Sequence, residues 1–263
     1  MCIWCTTADA LDFDNVEMVK CLYVNYPVKK FIDAKNSMGI SACKGMGKTF
    51  FLKAKRMKIM NSGIEKDNIL LLPKDQLVDT PGPILLNKTH IRFLSSYYNW
   101  VGLWTACISA YLLSVAENKA EFHSQEFIQF DPVVQQIINR ENTGVFSVLS
   151  FVLNDKTQKA MRALVQASGV LFSFVQRIKR PIYLFVDKLE EPFNRYFYRI
   201  PGSNAVADGR YNSSLWAYAQ LAFAEAVYVL YSGRHHINFF MGFVKRRYTV
   251  AKILHANQQK LEI

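Results

Sequence analysis

An α/β fold with a parallel central sheet is the class predicted for this chain of 263 residues, on three observations. Residues 69–72 (Ile-Leu-Leu-Leu) and 182–186 (Ile-Tyr-Leu-Phe-Val) are apolar throughout, the form taken by strands covered on both faces. A further short apolar run at 38–43 breaks into a glycine-containing turn, followed by Lys48-Thr49 and then by a helix-like segment that begins Phe50-Phe51-Leu52. Between the strands at 69–72 and 182–186, three- and four-residue apolar spacing predicts helix over residues 89–179.

Taken in order, residues 1–37 form an N-terminal segment with a predicted helix near 16–24 and an extended piece at Asn25-Tyr26-Pro27. The first strand, 38–43, leads into Ala42-Cys43-Lys44-Gly45-Met46-Gly47-Lys48-Thr49. Gly45 and Gly47 let the backbone curl so that successive N–H groups point inward, and the following helix adds the positive end of its dipole. Lys48 supplies a point charge for the terminal phosphates, and the Thr49 hydroxyl is a ligand for Mg²⁺. Ala42 stands where the first glycine of such loops usually sits. The bland reading of the same residues is a turn flanked by solvated lysines.

The helix after this loop is predicted to run to about Met60, where Asn61-Ser62-Gly63 supplies a stop. A buried second strand follows at 69–73. The next passage contains Asp79-Thr80-Pro81-Gly82 and Asn87-Lys88-Thr89, which resemble the metal and guanine motifs of GTPases. Residues 74–78 are too polar and too few to be the buried strand that must deliver such an aspartate, and the two motifs lie too close together. GTP is therefore the alternative substrate and ATP the expected one.

Helical spacing then takes over. Ile91, Leu94, Tyr98, Val101, Trp104, Ile108 and Leu112 form one apolar stripe, with further helices expected at 133–139, 145–153 and 156–177. Pro181 ends this all-helical insertion, about 89–179, and residues 182–187 form the third strand. That strand finishes on Asp187, a carboxylate delivered to the end of a buried strand where open α/β sheets bind ligands, within reach of the metal shell of Thr49. Glu190 and Glu191 follow, either of them suited to orient or deprotonate an attacking water; the bland reading is that they begin the next helix. Residues 201–214 read as an exposed connection, 215–231 as a helix and 236–244 as a fourth strand.

This order resembles the NACHT-type and related STAND ATPases, within the larger class of P-loop ATPases with an added catalytic acid that also holds the AAA proteins. The resemblance implies a P-loop NTPase domain over 38–263, with helices on both faces of the sheet. It makes Ala42 to Thr49 the Walker A loop and Asp187 the Walker B metal acid, and it places Glu190 and Glu191 at the second acidic pair. It also implies ATP and Mg²⁺ as cofactors and a basic residue after the fourth strand, Lys245, Arg246 or Arg247, that senses phosphate. The implied function is an ATPase switch of conformation or assembly, of the kind used in bacterial antiviral defence. Such modules form homo-oligomers or rely on further domains or chains to complete a lid over the nucleotide. Lys188 and Glu190 depart from the family, which prefers a small residue and Asp at these places.

Composition narrows the alternatives. With 51% hydrophobic residues a sizeable core is expected and disorder is excluded. The formal charge of +11 suits an anionic partner, so nucleic acid is a second candidate beside nucleotide. Five cysteines without a repeating framework fit a reducing cytoplasm. The most apolar segments, 101–116 and 215–231, fall short of the ~20 residues a membrane span requires, and the second carries Glu225.

Overall fold

The computed structural model describes residues 26–36, 38–42, 47–62, 69–81, 86–122, 124–155, 157–189, 197–199, 206–208, 213–233 and 237–244. The chain divides into two compact units. One is drawn from Met1–Val78, Arg180–Lys188 and His236–Ile263, the other from Asp79–Lys179 and Leu189–His235. The predicted helix at 16–24 lies outside the described residues.

The first unit is α/β. Its described strands β1 (Met38–Ala42), β2 (Leu70–Leu72), β3 (Ile182–Val186) and β6 (Ile237–Val244) form one sheet in the order β1-β6-β3-β2. Every pairing is parallel. The four predicted strands are thus present, each within a residue or two of its expected bounds. The register sets Ile40 beside Gly242, Phe185 beside Phe240 and Val186 beside Met241. β6 therefore lies between β1 and β3, so whatever leaves the C-terminal ends of these two strands is separated by one strand width, about 5 Å on either side.

Helix α1 (Tyr26–Asp33) and helix α2 (Lys48–Met60) pack against this sheet. Phe31, Leu52, Ile59, Val78, Phe185 and Phe240 form their shared core. Phe31 meets Phe240 edge-on at 6.0 Å between centroids, and Phe185 stacks on Phe240 at 5.2 Å. Tyr26 and Pro27, expected to be extended, instead open α1. The physical reason is that proline fits the first turn of a helix, where its missing N–H would have had no partner in any case. Lys55 of α2 holds α1 in place. Its ammonium donates to the Ile32 carbonyl at 2.8 Å and to that of Ala34, and lies 4.8 Å from the Phe240 ring centroid. Burial, with Lys58 nearby, lowers its pKa to about 8. At the end of α2, Asn61 donates its backbone N–H to Met57, the stop expected from the sequence.

The second unit is mainly helical and is built from two passages of the chain. Its centre is α4 (Tyr97–Ser114), buried along nearly all of its last three turns. Around it lie α3 (Lys88–Leu94), the short α5 (Ala116–Lys119), α6 (Pro132–Asn139), α7 (Val145–Asn154), α8 (Lys159–Gln166) and α9 (Ser168–Val175). The long helix α10 (Ser213–Gly233) comes from beyond β3 and makes the most extensive contact with α4. Trp104 donates its indole N–H to the Ala219 carbonyl at 2.9 Å and meets Phe223 edge-on at 5.0 Å. The expected insertion between the second and third strands is thus only part of this unit, because α10 supplies a wall that the insertion alone lacks.

Several expectations are corrected. The stripe from Ile91 to Leu112 spans two helices, because Asn99 takes the Phe93 carbonyl at 2.8 Å and Ser96 begins a new helix. Tyr98, placed on the buried stripe, is 82% exposed. The single helix expected at 156–177 is α8 and α9: Gln158 adopts a left-handed φ of 60°, and the Asp155 carboxylate takes the N–H groups of Thr157 and Ala160, so α8 starts late. Finally, the connection at 201–214 contains β5 (Val206–Asp208), which pairs antiparallel with β4 (Phe197–Arg199), and the start of α10.

Candidate functional site

Strand alternation explains the site. In β3, Phe185 faces α2, so Asp187, two residues on, faces the same way. In α2, Thr49, Leu52 and Ile59 recur at helical spacing, and Leu52 and Ile59 belong to the core beneath that face. Thr49 in the first turn is thereby aimed at the end of β3. Its hydroxyl donates to Asp187 Oδ2 across 138 positions of sequence. Asp187 is fully buried, and among the described residues its Oδ1 has no hydrogen-bond partner.

Gly47 precedes the helix with φ 75° and ψ 18°, a left-handed conformation that favours glycine, and its carbonyl accepts the Phe51 N–H at 3.1 Å. Lys48 is the first residue of α2 and is buried. Of the predicted site residues, Gly47, Lys48, Thr49 and Asp187 are therefore brought to one end of the parallel sheet, and Ala42 ends the strand that leads there. Cys43, Lys44, Gly45, Met46, Glu190, Glu191 and Lys245 lie outside the described residues.

Two features were not read from the sequence. Lys188, directly after Asp187, has φ 56°, left-handed backbone that a non-glycine side chain adopts at a cost. The second feature is Gly242, which is buried in β6 beside Ile40. A Cβ built on it would stand 2.2 Å from Asp187 Oδ1 and 3.2 Å from Leu52 Cδ1. The available signal was a lone glycine inside the apolar run Ile-Asn-Phe-Phe-Met-Gly-Phe-Val, which marks a close approach.

The donors suit a hard divalent cation. Mg²⁺ is held by one or two protein oxygens together with phosphates and water, so a buried carboxylate with one unpartnered oxygen beside a threonine hydroxyl fits it. The described residues hold no cluster of three or more His, Cys, Asp or Glu that would form an all-protein cage.

The GTPase-like residues have other duties. The buried Asp79 carboxylate accepts the Val145 and Phe146 N–H groups at 2.6 and 3.3 Å and so caps α7. The Asn87 side chain accepts the His90 N–H at 2.7 Å and caps α3. The helical unit also carries a groove of about 640 Å³ lined by Val133, Arg140, Phe151, Asp155 and Lys159, among others. Its carboxylate is taken up by backbone N–H groups and its Arg140 lies 5.1 Å from the Phe151 centroid, which leaves Thr49 and Asp187 as the stronger site. No helix among the described residues is long and apolar enough to cross a membrane. In the comparisons with known proteins, no family model, no curated protein and no solved structure matches the chain.

Proposed function

We propose that this chain binds and hydrolyses ATP with Mg²⁺ and that the reaction drives a change of conformation or assembly. The observation that carries the reading is the hydrogen bond between Thr49 and Asp187, at the same end of a parallel sheet. Chance rarely joins a Gly-Lys-Thr helix start to an acid at the end of a buried strand, and nucleotide binding needs that junction.

The roles follow from charge and placement. The N–H groups of the loop and of the first turn of α2 cradle the phosphates, and Lys48 balances the charge of the terminal two. Thr49 and Asp187 would hold Mg²⁺, which when bound neutralises phosphate charge and fixes the phosphate geometry. Glu190 or Glu191 orients water for attack on the γ-phosphorus and accepts its proton; the bond to the bridging oxygen breaks, leaving ADP and phosphate. ATP is favoured over GTP because Asp79 and Asn87, the anchors of a guanine-type reading, are engaged as helix caps.

Titration of the protein with ATP and with GTP, with and without Mg²⁺ and coupled to particle size, tests the reading. ATP with Mg²⁺ should bind and release phosphate. Lys48→Ala should weaken binding by at least about tenfold, a loss of ~1.4 kcal/mol. Glu190→Gln with Glu191→Gln should retain ATP while phosphate release falls by roughly a hundredfold or more. Wild-type protein that binds neither nucleotide refutes the proposal, as does a Lys48→Ala variant that binds like wild type. Binding with a size change and no phosphate release would leave a nucleotide switch without turnover.

A further inference from the structure

We propose that Gly242 is a positioning residue for Asp187, and that its missing side chain is what allows the carboxylate to hold Thr49 and a metal together. The inference rests on the reading of Thr49 and Asp187 as a Mg²⁺-nucleotide site. Register leads to it directly. Phe185 pairs with Phe240 and Val186 with Met241, so the next place along each chain sets Asp187 beside Gly242. Phe240 and Gly242 share one face of β6, as Phe185 and Asp187 share one face of the β3 segment, and that face is the one covered by α2.

Asp187 Oδ1 occupies the space that a side chain at 242 would fill. An ideal Cβ there lies 2.2 Å from Oδ1, a distance that atoms of a folded protein do not share, and a tight 3.1 Å from Cγ. The carboxylate has little room to retreat, because it is fully buried and Leu52 Cδ1 also stands 3.2 Å from the same Cβ position. Any residue larger than glycine must therefore displace the carboxylate from the position in which it accepts the Thr49 hydroxyl. Glycine weakens a strand interior, since it adds backbone entropy and packs nothing. Its presence inside a buried central strand is explained by this approach.

The test measures ATP affinity by calorimetry in Mg²⁺ and in EDTA. Wild type should gain at least about tenfold in affinity from the metal. Gly242→Ala should lose that gain to within roughly threefold of its metal-free affinity, and the metal-free affinity should match wild type. Asp187→Ala should show the same loss, and Gly242→Ala should add nothing to it in the double variant. A Gly242→Ala protein with the full wild-type metal gain overturns the inference alone; one that loses metal-free affinity equally does so too. Wild type without any metal gain overturns the nucleotide reading and this inference with it. Where Gly242→Ala fails to fold, far-UV circular dichroism of Gly242→Ala with Asp187→Ala decides. Recovery of the fold supports the steric link, and continued unfolding overturns it.

Discussion

A carboxylate shut away from water needs donors around it, and Asp79 finds two at the start of α7. Burial dominates and pushes its pKa up to about 7, against the pull of the two N–H groups. Between the ordinary aspartate range and about pH 7, the folded protein keeps a proton that the unfolded chain has lost. The stability this group contributes is therefore greatest in acid and is lost as pH rises through about 7. Asp79→Asn, which cannot titrate, removes that dependence. Thermal melts should show wild type losing at least ~1 kcal/mol relative to Asp79→Asn between about pH 5 and pH 8. A gap that stays constant across this range would show that Asp79 keeps its ordinary pKa. A larger residue at Gly144, beside it, would have to displace the Asp79 carboxylate, because a Cβ there would lie within about 2.5 Å of it.

Strands were more legible than helix boundaries. β2 and β3 announce themselves because a strand covered on both faces must be apolar at every position, whatever its neighbours are. The motif residues Lys48, Thr49 and Asp187 were legible for a related reason: each is tied to its own strand end or helix start, so local sequence suffices. Gly242 was not, because its meaning depends on the register of β6 against β3, and strands remote in sequence do not declare their register. Helix limits in the second unit escaped because side chains such as Asn99 and Asp155 compete with the backbone ladder for its carbonyls and N–H groups. The pairing of α4 with α10 was likewise invisible, although it organises that unit. Trp104 is fully buried in it, stacked on Trp100 and bonded to Ala219. Trp104→Ala should destabilise the protein by about 3–5 kcal/mol in urea unfolding. A loss below ~1 kcal/mol would mean that the α4–α10 contact contributes little.

At the scale of the molecule, the two units are interleaved along the chain rather than consecutive. The stretch 79–179 by itself contains most helices of the second unit but not α10, so it would leave the Trp104 and Tyr97 faces of α4 uncovered. Expressed alone, it should retain helical far-UV signal, lose near-UV signal and bind hydrophobic dye; adding residues 180–235 should reverse this. A sharp, dye-free thermal transition from 79–179 alone would refute that view. The same interleaving governs how the sheet comes into being. β1 finds its partner β6 roughly two hundred residues later, so its ribosomal synthesis is long finished before its sheet neighbour emerges. Helices with near contacts form early, whereas this distant closure comes late and slowly. The junction of Thr49 with Asp187, whose two strands are joined only through β6, can therefore be completed only once the last described strand has arrived.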